Sequence, residues 1–398
     1  MNRRILFVDD EPHILEGLRH RLHRQRNKWD MLFVHTGAEA LEVIAREPID
    51  VVVTDMRMPH MDGAALLEKV RDSHPRIVRI VLSGHAEFES ALRVASVAHQ
   101  FLAKPAEAGV IERVVERACG IQYLINQDSV RRVVGGIDSL PSLPKVYTSL
   151  VAALEHDKVS APEVAKILRQ DGAMCAKMLQ LVNSAFFRLP RTISRVEEAV
   201  TYLGFSTIKQ IVLAAEVFQY SGGRVRPRIS MDALQAHALN VAKIASSFFD
   251  TKPEQEEAFV AGLLHDLGKL VLAVGLPDQV DDVLLEMKEQ GSAMHAAELH
   301  VCGTTHAEVG GYLLGIWGLP YPIVEAVANH HDPMRVDTKE FGVLAATHIA
   351  NGLVHELEAP PVSGDRYGHL ALDLAYLNEI GVMDRLAVWR KKAFESVV

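Results

Sequence analysis

The chain has 398 residues, of which 48% are hydrophobic and 23% are charged, a balance typical of globular proteins with sizeable cores. A single core rarely organises a chain of this length, so two or three domains are expected. The 51 Asp and Glu residues outnumber the 42 Lys and Arg residues and give a net charge of -9. This charge argues against direct DNA binding, because nucleic-acid binding needs a positively charged surface.

The cysteines and the N-terminus indicate a cytoplasmic protein. Cys119, Cys175 and Cys302 lie far apart, so neither a disulfide framework nor a Cys-x-x-Cys metal motif is indicated. The first apolar run holds four residues before Asp9 and Asp10, too few for a signal peptide. No apolar stretch is expected to span a membrane. We therefore expect a soluble cytoplasmic protein without a membrane partner.

Short apolar runs alternate with segments of helical spacing from Arg4 to about Lys104. Strands are predicted at Ile5–Val8, Met31–Val34, Ile49–Thr54, Arg76–Leu82 and Gln100–Ala103. Continuously apolar strands separated by helices form parallel sheets that are covered on both faces. The pattern therefore predicts a doubly wound α/β domain with a five-stranded parallel sheet.

Polar residues follow these strands where each strand ends. Asp9 and Asp10 follow the first strand, Asp55 the third, Ser83 the fourth and Lys104 the fifth. The carboxyl ends of parallel strands meet at one edge of a sheet, so we expect these residues to lie together. Three carboxylates in one place repel each other and need a cation, and an oxygen-only cluster favours Mg²⁺. An alternative for Asp9 or Asp10 alone is to cap the next helix.

The motifs VDDE, TDMRMPHMDG, LSGHAE and FLAKP stand in this order at successive strand ends. Over residues 1–120 the chain therefore resembles bacterial response-regulator receiver domains. The resemblance implies that Asp55 is the nucleophile that takes a phosphoryl group from a sensor histidine kinase. It also implies that Lys104 and Ser83 contact the phosphoryl oxygens and that Phe101 is the aromatic residue that repacks on activation.

The same resemblance implies a magnesium site. Its ligands would be Asp10, with Asp9, Asp55 and the backbone carbonyl of Arg57. Every position that phosphorylation needs is present, so a competent receiver is expected.

A long helix is predicted from Pro105 to about Arg132, where Gly135-Gly136 ends the helical spacing. Its apolar residues recur three and four apart at Ile111, Val114, Ala118, Ile121 and Ile125. This stripe indicates either a dimerisation or signal-transmitting helix, or a helix that packs on the sheet and continues as a stiff connector. Two heptads support both interpretations equally. The predicted domains are 1–120, a helical linker at 121–135, and 136–398.

Amphipathic helical spacing recurs from Ser139 onward without alternating strands, which predicts an all-α domain. Arg224, Arg226 and Arg228 lie among Gly and Pro residues and are predicted to form a solvated loop. Six candidate metal ligands lie on successive helical segments: His237, His265, Asp266, His306, His330 and His331. Together they resemble the HD superfamily of metal-dependent phosphohydrolases. That resemblance implies two divalent metals (Fe, Mn or Zn) around a bridging hydroxide, with Lys269 near a substrate phosphate.

Two departures count against catalysis. Asn351 stands where the branch with paired histidines has a final aspartate ligand, and an amide oxygen does not offset cation charge. The Gly-Tyr-Pro signature of cyclic-dinucleotide phosphodiesterases is missing after NHHD. From about residue 136 onward the segments IDSLPSLPKVYTSL, LQLVNSAFF, AVTYLG and GLLHDLGKLVL instead resemble the HDOD domain, an HD-related output module generally regarded as non-catalytic.

The leading hypothesis is therefore a two-component response regulator whose phosphorylation at Asp55 controls an HDOD signalling or protein-interaction output. Its expected partners are a sensor histidine kinase, a downstream signalling protein and a second copy of the chain as a homodimer. The alternative is a receiver-regulated HD-type phosphodiesterase acting on a cyclic dinucleotide or nucleotide, with His265 and Asp266 central. A third interpretation keeps the histidines as a structural metal site or as core packing, the remnant of a catalytic centre.

Overall fold

The structure is a computed structural model that describes residues 3–83, 97–104, 108–120, 128–135, 146, 149–150, 153–154, 159–183, 191–213, 230–337, 340–358 and 372–397. These residues form two compact units, one built mainly from residues 1–138 and one mainly from residues 139–398. The LSGHAE motif beyond Ser83 and the three arginines predicted as a loop, Arg224, Arg226 and Arg228, lie outside the described residues.

The first unit contains a parallel sheet in the order β2-β1-β3-β4-β5. Its strands are β1 (Arg3–Val8), β2 (Trp29–Val34), β3 (Val51–Asp55), β4 (Val78–Ser83) and β5 (Gln100–Ala103). The first two strands begin two residues before the predicted positions, because Arg3 pairs in register with Trp29. The next two begin two residues later than predicted and end one residue later, so that Asp55 closes β3 opposite Leu82.

Helices α1 (Pro12–Arg21), α2 (Gly37–Arg46) and α3 (Gly63–Ser73) follow the first three strands, and α4 (Ala108–Gly120) and α5 (Asp128–Gly135) come after β5. Thr36 and Asp62 cap α2 and α3 with their side-chain oxygens. The N-cap of α1 is Glu11, so neither Asp9 nor Asp10 caps that helix. Their carboxylates are therefore not used as helix caps. Gly135 is the last residue of α5, whereas Ile121 and Ile125 of the predicted long helix lie outside the described residues.

The described part of the second unit is helical. Its helices are α6 (Ala161–Leu168), α7 (Gly172–Val182), α8 (Val196–Leu213), α9 (Met231–Ser246), α10 (Lys252–Leu264), α11 (Leu267–Gly275), α12 (Pro277–Gln290), α13 (Met294–Cys302), α14 (His306–Ile316), α15 (Tyr321–Asn329), α16 (Val343–Glu358), α17 (Leu374–Glu379) and α18 (Leu386–Val397). Gly204 has a positive φ of 72° and kinks α8.

The core of this unit forms where α9 packs against α10 and α16. Val241, Ile244, Ile349, Leu353 and Trp389 are buried together there. Burial of such side chains contributes about 1.5–3 kcal/mol each relative to exposure. This core holds the facing surfaces of α9, α10 and α16 in place, and two of these helices carry polar residues discussed below, His237 on α9 and Asn351, His355 and Glu358 on α16.

One segment corrects the expectation that no stretch is long enough to span a membrane. Lys252–Gly275 is apolar and long enough by length and composition, and 78% of its most apolar window is buried inside the protein. It comprises α10, α11 and the His265-Asp266 turn between them. Its apolar character is explained by its place in the helical core.

Candidate functional site

Asp9, Asp55 and Lys104 meet at the edge of the sheet where β1, β3 and β5 end. Lys104 Nζ lies 2.6 Å from Asp9 Oδ2 and also contacts Asp55 Oδ1. Asp55 Oδ2 accepts a hydrogen bond of 2.8 Å from the backbone N–H of Arg57. The side chain of Asp9 is 1% exposed and that of Asp55 is 10% exposed. One cation therefore bridges two largely buried carboxylates, and the Asp55 carboxylate still reaches solvent.

Burial and the Lys104–Asp55 ion pair act in opposite directions on the pKa values of these two residues. Burial raises the pKa of Asp55 above its ordinary value, although the Lys104 ammonium and the Arg57 amide act to lower it. Burial acts to lower the pKa of Lys104, but hydrogen bonds to Asp55 and Asp9 outweigh it and raise that pKa. Lys104 therefore stays protonated beside Asp55 and can neutralise negative charge that arrives there.

The carboxylates at this edge fit a magnesium ion. Asp10 is half-buried beside Asp9, and no hydrogen bond or ion pair engages its carboxylate among the described residues. A single lysine against three carboxylates leaves an excess of negative charge, and an oxygen-only donor set suits Mg²⁺. Ser83 ends β4 and pairs in register with Ala103, but the side chains of Ser83 and Phe101 lie outside the described residues.

In the second unit, the six predicted ligands converge around Asp266, which lies at the turn between α10 and α11. His306 Nε2 is 3.1 Å from Asp266 Oδ1, and His265 Nε2 is 3.4 Å from Asp266 Oδ2. The Nε2 atoms of His237 and His330 both lie 3.9 Å from Asp266. His331 joins through a 3.0 Å contact between its Nε2 and that of His306. We call these six residues the histidine cluster.

Two glycines allow the helices around Asp266 to pack closely against their neighbours. A Cβ atom on Gly268 would overlap the carbonyl oxygen of His306, so α11 and α14 can lie this close only with glycine at that position. Likewise, a Cβ atom on Gly262 would lie 2.8 Å from the Cα of Ala242, where α10 crosses α9. The glycines of the GLLHDLGKL segment therefore position the aspartate against its neighbouring histidines.

In four of the five histidines of the cluster, the Nδ1 atom has a fixed hydrogen-bond partner. His265 Nδ1 lies 2.7 Å from the carbonyl oxygen of Gly262, and His330 Nδ1 lies 2.8 Å from that of Val327. The remaining contacts are to carboxylates, from His306 Nδ1 to Glu298 at 2.6 Å and from His237 Nδ1 to Glu358 at 2.9 Å. Partners of this kind orient metal-binding imidazoles in proteins.

In two of these four rings the other nitrogen, Nε2, has no hydrogen bond among the described residues. His265 Nε2 and His330 Nε2 are buried and have no hydrogen-bond partner among the described residues. Buried polar atoms are normally paired, and an unpaired one costs about 1–3 kcal/mol. A divalent metal between these nitrogens and Asp266 would satisfy them, so the donor set fits such an ion.

The protonation states are those that metal binding needs. Burial lowers the pKa of His265 to about 3 and takes the pKa values of His330 and His331 well below the ordinary value. Burial acts to raise the pKa of Asp266, but His265 and Lys269 outweigh it and lower that pKa. Neutral imidazoles with free lone pairs therefore surround an ionised carboxylate at neutral pH.

His306 differs from its neighbours. Burial acts to lower its pKa, but the carboxylate of Glu298 and its contact with Asp266 raise it above the ordinary value. Lys269 Nζ donates a 2.6 Å hydrogen bond to Asp266 Oδ2, so the lysine that the resemblance places near a substrate phosphate here neutralises the central aspartate.

Asn351 lies at the cluster but contributes no charge. Its Oδ1 is 3.0 Å from His237 Nε2, the nitrogen of that ring that faces Asp266.

Sequence reasoning missed three nearby residues: Glu298, His355 and Glu358. Asn351, His355 and Glu358 are spaced i, i+4 and i+7 on α16, a signal for one helix face that the sequence did contain. No comparable signal pointed to Glu298.

Two family models match the chain. The HDOD domain matches residues 140–333, and the response regulator receiver domain matches residues 5–116. An uncharacterised protein of Treponema pallidum is 23% identical over 56% of this chain and 43% of its own length. The response regulator protein PilR of Pseudomonas aeruginosa is 33% identical over 29% of this chain and 26% of its own length. The chain thus spans less than half the length of these relatives.

Solved structures share the fold. The MmoQ response regulator of Methylococcus capsulatus superposes with a TM-score of 0.50 and 22% identity, covering 64% of this chain and 98% of that protein. A virulence factor of Campylobacter jejuni superposes with a TM-score of 0.50 and 20% identity, covering 64% of this chain and 97% of its own. At these identities the likeness concerns the fold alone.

Proposed function

The chain is a response regulator that joins an N-terminal receiver domain to a C-terminal HDOD domain, and we propose that Asp55 is its phosphoryl acceptor. The observation that carries this proposal is the contact of Lys104 with both Asp9 and Asp55 at the carboxyl edge of the sheet. Phosphoryl transfer depends on positioning and on charge neutralisation. This arrangement supplies a fixed nucleophile and a fixed cation.

In the proposed reaction a carboxylate oxygen of Asp55 attacks the phosphorus of a phosphohistidine on a sensor kinase. The new oxygen–phosphorus bond forms as the phosphorus–nitrogen bond breaks, and the electron pair returns to the kinase imidazole. Lys104 keeps its proton and pairs with the phosphoryl oxygens. The Arg57 N–H holds the second oxygen of Asp55 and so orients the carboxylate.

Asp9, Asp10, Asp55 and the backbone carbonyl of Arg57 are the proposed magnesium ligands. When bound, Mg²⁺ would neutralise the charge that accumulates on the phosphoryl group. Asp9 also accepts a 3.0 Å hydrogen bond from the backbone N–H of Glu11, which orients its carboxylate at this edge. Ser83 is proposed to contact the phosphoryl group and Phe101 to repack when it arrives.

The HDOD domain is the proposed output. Phosphorylation of Asp55 would shift the chain between two pre-existing states that differ in binding to a downstream signalling protein or to a second copy of the chain. A shift of this kind needs a difference of about a few kcal/mol between the states. The net charge of -9 favours a protein partner over DNA. We place this activity in the cytoplasm.

Intact-mass analysis after treatment with acetyl phosphate and Mg²⁺ tests the proposal. Wild-type protein should gain one phosphoryl group, and Asp55→Asn should gain none. Asp72→Asn is the matched control, because the Asp72 side chain is 67% exposed and its one ion pair within the described ranges is with Arg71 at 2.9 Å. Modification of Asp55→Asn, or none of the wild type, would contradict the proposal.

A second candidate function is supported by the unpaired Nε2 atoms of His265 and His330, namely a metal-dependent phosphohydrolase acting on a cyclic dinucleotide or nucleotide. The histidine cluster would hold the metal, which would activate a water molecule. Asn351 weakens this candidate because it adds no charge to the site. Hydrolysis of cyclic dinucleotides by metal-loaded wild type but not by Asp266→Asn would support it, and absence of turnover with bound metal would exclude it.

A further inference from the structure

We propose that His237, His355 and Glu358 form a divalent-cation site of their own at the solvent-facing side of the histidine cluster. The site goes beyond phosphoryl transfer at Asp55. It shares only His237 with the cluster for which a metal is proposed above. Two imidazoles and one carboxylate suit Zn²⁺, Co²⁺, Fe²⁺ or Mn²⁺ better than Mg²⁺ or Ca²⁺.

Helix geometry brings two of the ligands together. Residues four and seven positions apart on an α-helix share one face, so His355 and Glu358 follow Asn351 along the same stripe of α16. The third ligand, His237, lies on α9, which packs against α16. The site is thus built on two helices of the core and not on a loop.

The distances suit a single ion. His237 Nδ1 lies 2.9 Å from Glu358 Oε2, and the ring centroids of His237 and His355 are 4.5 Å apart. One ligand atom from each of the three residues lies within 4.8 Å of the other two. Tetrahedral zinc with bonds of about 2.1 Å holds its ligand atoms about 3.4 Å apart, so rotamer adjustments of His355 and Glu358 close the site.

Charge and access also favour an ion here. The cluster lacks an anion at Asn351, and Glu358 supplies one two turns further along α16. The Glu358 side chain is 42% exposed, so an ion can enter from solvent and complete its coordination with water.

Glu358 has one other role to distinguish from this one. It could only orient His237, whose Nε2 then binds a metal inside the cluster. In that case His355 would take no part in metal binding. His355 is therefore the residue whose substitution separates the two roles.

The experiment measures zinc bound to the chelator-stripped full chain and the visible absorption of its Co²⁺ form. Wild type should bind one zinc more than either His355→Ala or Glu358→Gln, and both variants should lose one component of the Co²⁺ spectrum. His355→Gln serves as a second variant of similar size. The control is the pair His300→Ala and Glu286→Gln, because His300 Nδ1 contacts Glu286 at 2.7 Å on the surface and belongs to no three-ligand group among the described residues.

Asp266→Asn separates this site from the cluster. If Asp266→Asn retains the zinc that His355→Ala loses, the site proposed here stands whether or not the cluster binds metal. If His355→Ala and His355→Gln bind as much zinc as wild type, with the same Co²⁺ spectrum, the proposal is overturned. A loss of affinity without a loss of stoichiometry in Glu358→Gln, with His355→Ala unchanged, would also overturn it in favour of the orienting role.

Discussion

The guanidinium of Arg79, the second residue of β4, donates a 2.8 Å hydrogen bond to the backbone carbonyl of Gly135 at the end of α5. Arg79 is 1% exposed, and its Nε donates to the carbonyl of Val97 at 2.6 Å. His99 supports the contact, because its Nδ1 accepts from the Arg79 N–H at 3.1 Å and its Nε2 lies 3.2 Å from the same Gly135 carbonyl. The end of α5 is therefore anchored to the sheet by buried polar groups.

Replacing Arg79 should destabilise the receiver unit strongly. Arg79→Met would leave the buried carbonyl of Val97 without this donor, at about 1–3 kcal/mol, and would leave the carbonyl of Gly135 with its contact to His99 alone. Arg46→Met should change the free energy of unfolding by about 0.5 kcal/mol or less, because Arg46 is exposed and lies 3.7 Å from Glu42. Urea unfolding measures both variants, and equal effects would show that the buried anchor adds no stability.

Restoring a carboxylate at position 351 should strengthen metal binding in the histidine cluster. Asn351→Asp places a negative charge 3.0 Å from His237 Nε2, where it would offset the charge of a divalent ion. We expect zinc affinity to rise on the order of tenfold, about 1.4 kcal/mol. Competition with a chromogenic chelator measures it, with exposed Asn378→Asp as control. Equal affinities in both variants would contradict a cation at this position.

Removing the charge of Glu298 should weaken the same site. Its carboxylate lies 2.6 Å from His306 Nδ1 and also accepts from the His306 backbone N–H at 2.7 Å. Loss of such an orienting carboxylate typically costs about 10-fold to 100-fold in metal affinity. Zinc titration of Glu298→Gln against Glu286→Gln, which alters an exposed His–Glu pair, checks this. The expectation fails if both variants bind zinc as wild type does.

The buried histidines should make the metal-free helical unit sensitive to acid. Unfolded histidines titrate near pH 6.5, whereas the folded pKa of His265 is about 3 and that of His355 is about 4. As pH falls below 6.5 the unfolded state binds more protons than the folded state, so folding stability falls. Urea unfolding from pH 7 to pH 5 should show this decline, with a shallower slope for His355→Gln. An unchanged slope in that variant would show that His355 stays charged when folded.

The strands and the site at their carboxyl edge were largely readable from the sequence. Continuous apolar runs mark strands buried on both faces. Because the strands are parallel, Asp9, Asp55 and Lys104 lie at one edge of the sheet, and this does not depend on the exact course of the connecting helices. Strand ends were off by up to two residues, because Arg3 and Trp29 extend a ladder through backbone pairing that side-chain type does not reveal. Arg79 was read as part of a strand, but its burial depends on carbonyl partners as distant in sequence as Gly135.

In the histidine cluster, too, the sequence predicted the ligands but not the residues that orient them. Its six members stood out because each is a metal-ligating residue type within an apolar helical segment. Their orienting partners did not, because Glu358 lies 121 residues from His237 and reaches it only through the packing of two helices. Glu298 is the acidic residue of α13 and follows five acidic residues on α12, and its burial to 1% exposure is what distinguishes it from them.

The central claim is that phosphorylation of Asp55 controls the helical HDOD domain. Hydrogen–deuterium exchange of the full chain, with and without acetyl phosphate and with Asp55→Asn as the reference, tests it most directly. We expect phosphorylation to change exchange in helices of the second unit as well as around Asp55, and to change nothing in Asp55→Asn. Changes confined to the receiver domain of the phosphorylated wild type would contradict the claim.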